Sequence, residues 1–157
     1  MQETNDTAGL NLPPYNAKMR KTDEGRIQIY DSLRRRYVAL TPEEWVRQHF
    51  VHFLIDVKKY PQSLIENEKE LRLGEKRLRC DSVVLGRTGK PYIIIEYKAP
   101  SVQLTQKVFD QIAVYNMLLH VDYLIVSNGM QHICCKMDYA NNSYEYLPDI
   151  PEYTKPN

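Results

Sequence analysis

Residues 90–100 read KPYIIIEYKAP. Tyr92 and the three isoleucines after it form an apolar run that suits a core strand buried on both faces. The run ends on two opposite charges, Glu96 and Lys98, with Tyr97 between them. Side chains alternate along a strand, so Tyr92, Ile94, Glu96 and Lys98 share one face. Burying a charge without a partner is costly, and two of them at the end of a core strand call for a chemical reason.

The neighbouring segments supply the frame for that strand. KRLRCDSVVL reads as a strand, GRTGK as a tight turn with two glycines, and PYIIIEYK as the return strand, so the two are antiparallel neighbours. Upstream, RIQIYDSLRRRYVAL gives two short β-prone runs around DSL, a hairpin pattern. Its Arg34, Arg35 and Arg36 form a basic knot that is either a solvated turn or a phosphate contact. TPEEWVRQHFVHFLIDVKKYP is the clearest helix. Thr41 suits the N-cap, Pro42 the first helical position, and Glu44 stands three residues after the cap. Trp45, His49 and Phe53 form one row, Val46, Phe50, Leu54 and Val57 the next, and Pro61 marks the stop. Residues 64–73 suit a helical turn or a strand. TQKVFDQIAVYNMLLH is a second helix, with Val108, Ile112, Tyr115 and Leu119 as its apolar face. DYLIVSNG and QHICCKMDY read as strands. Residues 1–25 read as a polar arm that packs loosely or borrows order from the body, 26–147 as one domain, and 148–157 as an irregular tail. A helix between strands of one sheet, with another helix ahead of it, predicts a layered α/β sandwich around a mixed sheet.

Alternation also places Arg77, Arg79 and Asp81 on one face of their strand. Asp81 precedes Glu96 by fifteen residues, and a hairpin of that size brings the two carboxylates opposite one another. Two facing carboxylates repel, and one pKa rises. A divalent cation removes the conflict, and oxygen donors with open positions suit Mg²⁺ or Mn²⁺. Lys98 on the same face can assist a water or offset phosphate charge. These are the parts of metal-assisted phosphodiester hydrolysis. A lone ExK at a strand end is otherwise a surface ion pair.

Composition bounds the partners. The 157 residues carry 21 Lys and Arg against 20 Asp and Glu, a net charge of +1. That balance argues against coating DNA non-specifically, so a polyanion site here is a local patch. Cys80, Cys134 and Cys135 fit neither a disulfide framework nor zinc spacing and read as small buried residues in a reducing compartment, Cys134 and Cys135 on opposite strand faces. His49, His52, His120 and His132 show no paired metal pattern. The N-terminal residues lack the apolar run of a signal peptide, and no stretch approaches the roughly 20 apolar residues of a membrane span. The expectation is a cytoplasmic protein without a membrane partner.

Asp81, Glu96 and Lys98, in the form D…EYK, resemble the active-site motif of the PD-(D/E)xK nuclease superfamily, with Cys80 where a proline usually stands. LTPEEWVRQHF, RCDSVVL, IIIEYKAP, FDQIAVYN and YLIVSNG follow the order found in the N-terminal domain of type I restriction enzyme R subunits, over about residues 26–135. The resemblance implies a three-layer α/β/α, restriction-endonuclease-like core. It implies Asp81 and Glu96 as metal ligands and Lys98 as the group that serves the hydrolytic water. Glu44 matches a helical acid that approaches the metal directly or through water, in competition with its capping role at Thr41. Gln111 and Tyr115 match a QxxxY element that orients the lysine or touches a phosphate, Tyr115 being equally a core residue. Arg47 and Arg79 either reach phosphates or pair with the carboxylates.

The resulting expectation is a Mg²⁺- or Mn²⁺-dependent endodeoxyribonuclease of restriction–modification type. The alternative is a nucleic-acid or protein binding module whose carboxylates survive in an ion-pair cluster with Lys98 and Arg79. No GxxxxGK[ST] phosphate loop occurs in these residues, so translocation-coupled cutting calls for a separate helicase or restriction–modification subunit. A homodimer would bring two sites to two DNA strands.

Overall fold

The computed structural model describes residues 9–117 and 119–154, without the side chains of residues 114–116. In chain order the elements are β1 (Met19–Lys21), β2 (Ile27–Asp31), β3 (Arg36–Ala39), α1 (Pro42–Asp56), β4 (Ile65–Leu73), β5 (Lys76–Leu85), β6 (Pro91–Tyr97), α2 (Gln106–Met117), β7 (Tyr123–Ser127), β8 (His132–Asp138) and β9 (Ser143–Leu147). β1, β2 and β3 make a small antiparallel sheet. The main sheet runs β4-β5-β6-β7-β8-β9, with β6 and β7 parallel and every other pair antiparallel.

The isoleucine run sits at the middle of that sheet. Ile93, Ile94 and Ile95 have no exposed surface. Ile93 and Ile95 join Val46, Phe50 and Leu54 of α1 in one core, and Ile94 joins Phe109 and Ala113 of α2 in the other. The sheet therefore lies between two helical layers, the α/β/α arrangement expected for a strand apolar on both faces. Each such side chain removed from water contributes about 2 kcal/mol. Cys134 and Cys135 enter opposite cores as free thiols.

Local chemistry accounts for the helix ends. Thr41 is extended, and its hydroxyl accepts from the Glu44 amide at 3.1 Å, with Pro42 just inside the helix. The helix ends at Asp56, ahead of Pro61, where Lys59 turns left-handed at φ 65°.

Of the two readings left open for residues 64–73, the strand is the one formed, over Ile65–Leu73. Other expectations need correction or completion. β9, in a part of the 26–147 domain for which the sequence pattern predicts no element, pairs along β8. The buried face of α2 is Phe109 and Ala113, while Val108 and Ile112 are only half-buried. The register shift between Val84 and Leu85 lets Tyr92 pack beside Tyr123 and the α1-side core, away from Ile94. The N-terminal arm is docked from Leu10 onward. Leu10 and Leu12 pack on the α1-side core, and the Asn11 amide donates to the Gly129 carbonyl at 2.8 Å. Among the described residues no helix is long and apolar enough to cross a membrane.

Candidate active site

The β5–β6 register pairs Ser82 with Ile95, which sets Asp81 opposite Glu96 one step further along. At that step the backbone ladder gives way to a side chain: the Tyr97 amide donates to Asp81 Oδ2 at 2.9 Å. On its other side β6 stays tied to β7, since the Lys98 amide donates to the Ser127 carbonyl at 2.8 Å. Tyr97 points the opposite way and is locked there. Its hydroxyl donates to Ser82 Oγ, Ser82 donates to Asn67 Oδ1, and Asn67 donates to Asp31 Oδ2. Glu96 and Lys98 are thus held on the α2-side face by a strand whose backbone and intervening residue are both fixed.

Asp81, Glu96 and Lys98 open into a cleft of about 650 Å³ that Glu44, Arg47, Glu68, Gln111 and Ile112 also line. Glu96 is half-buried. Burial raises its pKa first, Coulombic repulsion and a hydrogen bond with Asp81 raise it further, and Lys98 only partly offsets them. The group is pushed up to about 9. Among the described residues neither Asp81 nor Glu96 pairs with a basic side chain within ion-pair distance, and Lys98 has no carboxylate partner.

Glu44 and Glu68 are differently held. Glu44 Oε1 takes Arg34 Nη2 at 2.6 Å and Arg47 Nη2 at 2.8 Å, and its Oε2 takes Arg47 Nε at 2.7 Å. Burial pushes the Glu44 carboxyl up, and the two guanidiniums more than reverse it. The Glu44 carboxylate is spent on arginines, so Thr41 receives the backbone half of a capping box only. Arg47 continues the chain, reaching Glu68 Oε1 at 2.8 Å and donating to the Asp81 carbonyl at 2.9 Å. Arg79 Nε closes on Glu68 Oε2 at 2.6 Å. Arg47 and Arg79 therefore pair with carboxylates. Arg34 is no free phosphate ligand either, since it bridges Asp31 and Glu44.

Glu68 is the cleft residue that sequence reasoning missed. It lies opposite Asp81 at a gap in the β4–β5 ladder, with a left-handed φ of 56°. Its signal was weak, one acid among several in IENEKEL. Gln111 lines the cleft from α2. The Tyr115 side chain lies outside the described residues. The histidines have structural work: His49 bonds the Trp45 carbonyl, His52 stacks on Tyr15, His120 stacks on Tyr139, and His132 joins Ser127 to Asn11.

Among the described residues no three His, Cys, Asp or Glu side chains form a ready metal cage. Two carboxylates in an open cleft are nonetheless the donor set that a hard, water-retaining cation accepts. No curated protein matches the chain. The family model for the type I restriction enzyme R protein N terminus matches residues 42–151, which include every element from α1 to β9 and all of the cleft residues described above. With that match across most of its length, the chain belongs to the family of type I restriction enzyme R protein N-terminal domains.

Proposed function

We propose that this chain is a Mg²⁺- or Mn²⁺-dependent nuclease domain that hydrolyses DNA phosphodiester bonds. The observation that carries the reading is the contrast within one cleft. Glu44 and Glu68 are neutralised by arginines, whereas Asp81 and Glu96 face each other with Lys98 as the nearby cation. A half-buried like-charge pair left without a guanidinium is a pair suited to a divalent ion. A bound ion would neutralise that pair and polarise a phosphate oxygen. Lys98 then orients the attacking water and offsets negative charge developing on the phosphate. Gln111 contacts the phosphate from α2, and Tyr115, one helical turn on, serves the same face by its i, i+4 spacing. Glu44 acts through water, because its oxygens are held by Arg34 and Arg47.

The family's name places related domains in a type I restriction enzyme. A separate motor or restriction–modification subunit delivering the duplex fits that setting. The rival reading, a binding module with its carboxylates kept as an ion-pair cluster with Lys98 and Arg79, has less support, because Arg79 pairs with Glu68 instead.

Plasmid nicking tests the proposal. With Mg²⁺ or Mn²⁺ the wild-type chain nicks, EDTA stops it, and Asp81→Ala and Lys98→Ala each lose about 100-fold or more in rate. Nicking that is indifferent to both substitutions overturns the assignment.

A further inference from the structure

The small sheet β1–β3 lies outside the matched residues 42–151 and carries a charge the rest of the chain does not share. Residues 18–39 hold seven Lys and Arg against three Asp and Glu, in a chain of net charge +1. One of the seven, Arg34, is consumed by Asp31 and Glu44. The other six, Lys18, Arg20, Lys21, Arg26, Arg35 and Arg36, are exposed and have no carboxylate within ion-pair distance among the described residues.

Four of them stand on the outer face of the sheet or at its β2–β3 end. The inner face of the sheet buries Ile29 and Asp31. The register puts Arg20 beside Gln28 on the opposite, outer face, with Tyr30 beside Tyr37 in the adjacent row. Lys18 Nζ sits over the Tyr30 ring at 5.8 Å, and the Arg20 guanidinium lies over the Tyr37 ring at 4.1 Å while its Nε donates to Gln28. The tyrosines thus hold both cations upright on the surface. Arg36 is paired with Asp31 and so starts from the inner face, but at the exposed end of the sheet, and Arg35 stands in the adjoining turn, which Asp31 fixes by accepting from the Leu33 and Arg34 amides. From the Arg20 row to Arg35 the four residues span about 13 Å, the rise of four strand residues. The acids of the segment stand apart from them: Asp31 is buried, and Asp23 and Glu24 lie in the far turn between β1 and β2.

The sheet is joined to the cleft through its chain neighbours and through Arg34. β3 ends at Ala39, and Thr41 and Glu43, two and four residues on, line the cleft. Arg34, next to Arg35, bonds the cleft residue Glu44 directly. We infer that Lys18, Arg20, Arg35 and Arg36 bind the phosphate backbone of a DNA duplex and lay it against the rim of the cleft. The inference deepens the nuclease reading by assigning the surface that holds the polymer. It accounts for how a near-neutral chain engages a polyanion: the binding charge is segregated onto one small sheet.

The experiment is fluorescence anisotropy of a labelled short duplex with the full chain in EDTA, so that binding is read without cleavage. Four phosphate contacts give a slope of log K on log salt near about −3.5, a loss of about 100-fold between about 50 and about 200 mM salt. Lys18→Ser/Arg20→Ser/Arg35→Asn/Arg36→Gln removes most of that slope. Arg35→Asn/Arg36→Gln alone, confined to the turn and its edge, lowers the slope by about 2 and the low-salt affinity about tenfold. Circular dichroism and melting confirm that both variants fold. Unchanged affinity and slope in the folded quadruple variant overturn the inference. Poly-glutamate binding lost in the variants while duplex binding persists overturns it as well, in favour of an acidic protein partner. The nuclease reading fails on different evidence, namely nicking indifferent to Asp81 and Lys98.

Discussion

Glu68 and Asp81 face each other across β4 and β5 at the position missing from the ladder, and Glu68 reaches its two arginines from a left-handed backbone. An L-residue in that conformation costs about 1 kcal/mol or more. The strain persists because the Glu68 carboxylate joins Arg47, which holds the Asp81 carbonyl, to the exposed Arg79. Backbone outliers of this kind cluster where a structure is over-determined for a purpose.

Two substitutions separate the strain from the ion pairs. Glu68→Ala and Glu68→Gly both lose the arginine contacts, but only alanine keeps the steric penalty. Urea unfolding shows Glu68→Gly more stable than Glu68→Ala by about 1 kcal/mol, against glycine's usual disadvantage within a strand. Equal stabilities, or a more stable alanine variant, contradict a left-handed Glu68.

Glu96 gives a pH signature whose sign is fixed by its raised pKa. Below about 4.5 it is protonated in the folded and unfolded chain alike. As pH rises the unfolded chain releases the proton first, while the folded chain keeps it up to about 9, so folding loses stability through that window. Asp31, Glu44 and Glu68 are shifted the other way and lose their contribution on acidification, which affects wild type and variant equally. Glu96→Gln in EDTA therefore matches the wild type in acid and melts higher than it near about pH 8. A constant difference across the range contradicts the facing acid pair.

The docked arm has its own test. A Cβ on Gly129 would lie 2.7 Å from Leu10 Cδ2 and 3.0 Å from Val46 Cγ2, at a φ of 84°. Gly129→Ala destabilises by about 2 kcal/mol, part overlap and part backbone strain. In a Leu10→Ala background the cost falls, because the nearest clash is gone. An identical cost in both backgrounds places Leu10 elsewhere.

What could be read from the sequence followed from rules that act over short distances. The two-glycine turn and strand alternation suffice to set Asp81 against Glu96, and Thr41 with Pro42 fixes the start of α1. The failures have physical causes. SYEYL mixes tyrosines with polar residues and runs into Pro148, so its strand is decided by β8, a partner that local pattern does not reveal. On α2 the row Val108–Ile112 is as apolar as the row Phe109–Ala113, and only the position of the cleft says which one faces the core. Glu68 needs a left-handed turn that no glycine announces. Arg34 has the look of a solvated knot with Arg35 and Arg36, yet burial of Asp31 and Glu44 draws it inward.

The most direct test of the paired carboxylates needs no substrate: calorimetric titration of Mn²⁺ into the full chain near about pH 7.5. The wild type shows saturable binding, Asp81→Asn and Glu96→Gln each weaken it at least about tenfold, and Lys98→Ala retains it. Absence of saturable binding in the wild type, or binding that survives unchanged in Asp81→Asn, contradicts the site.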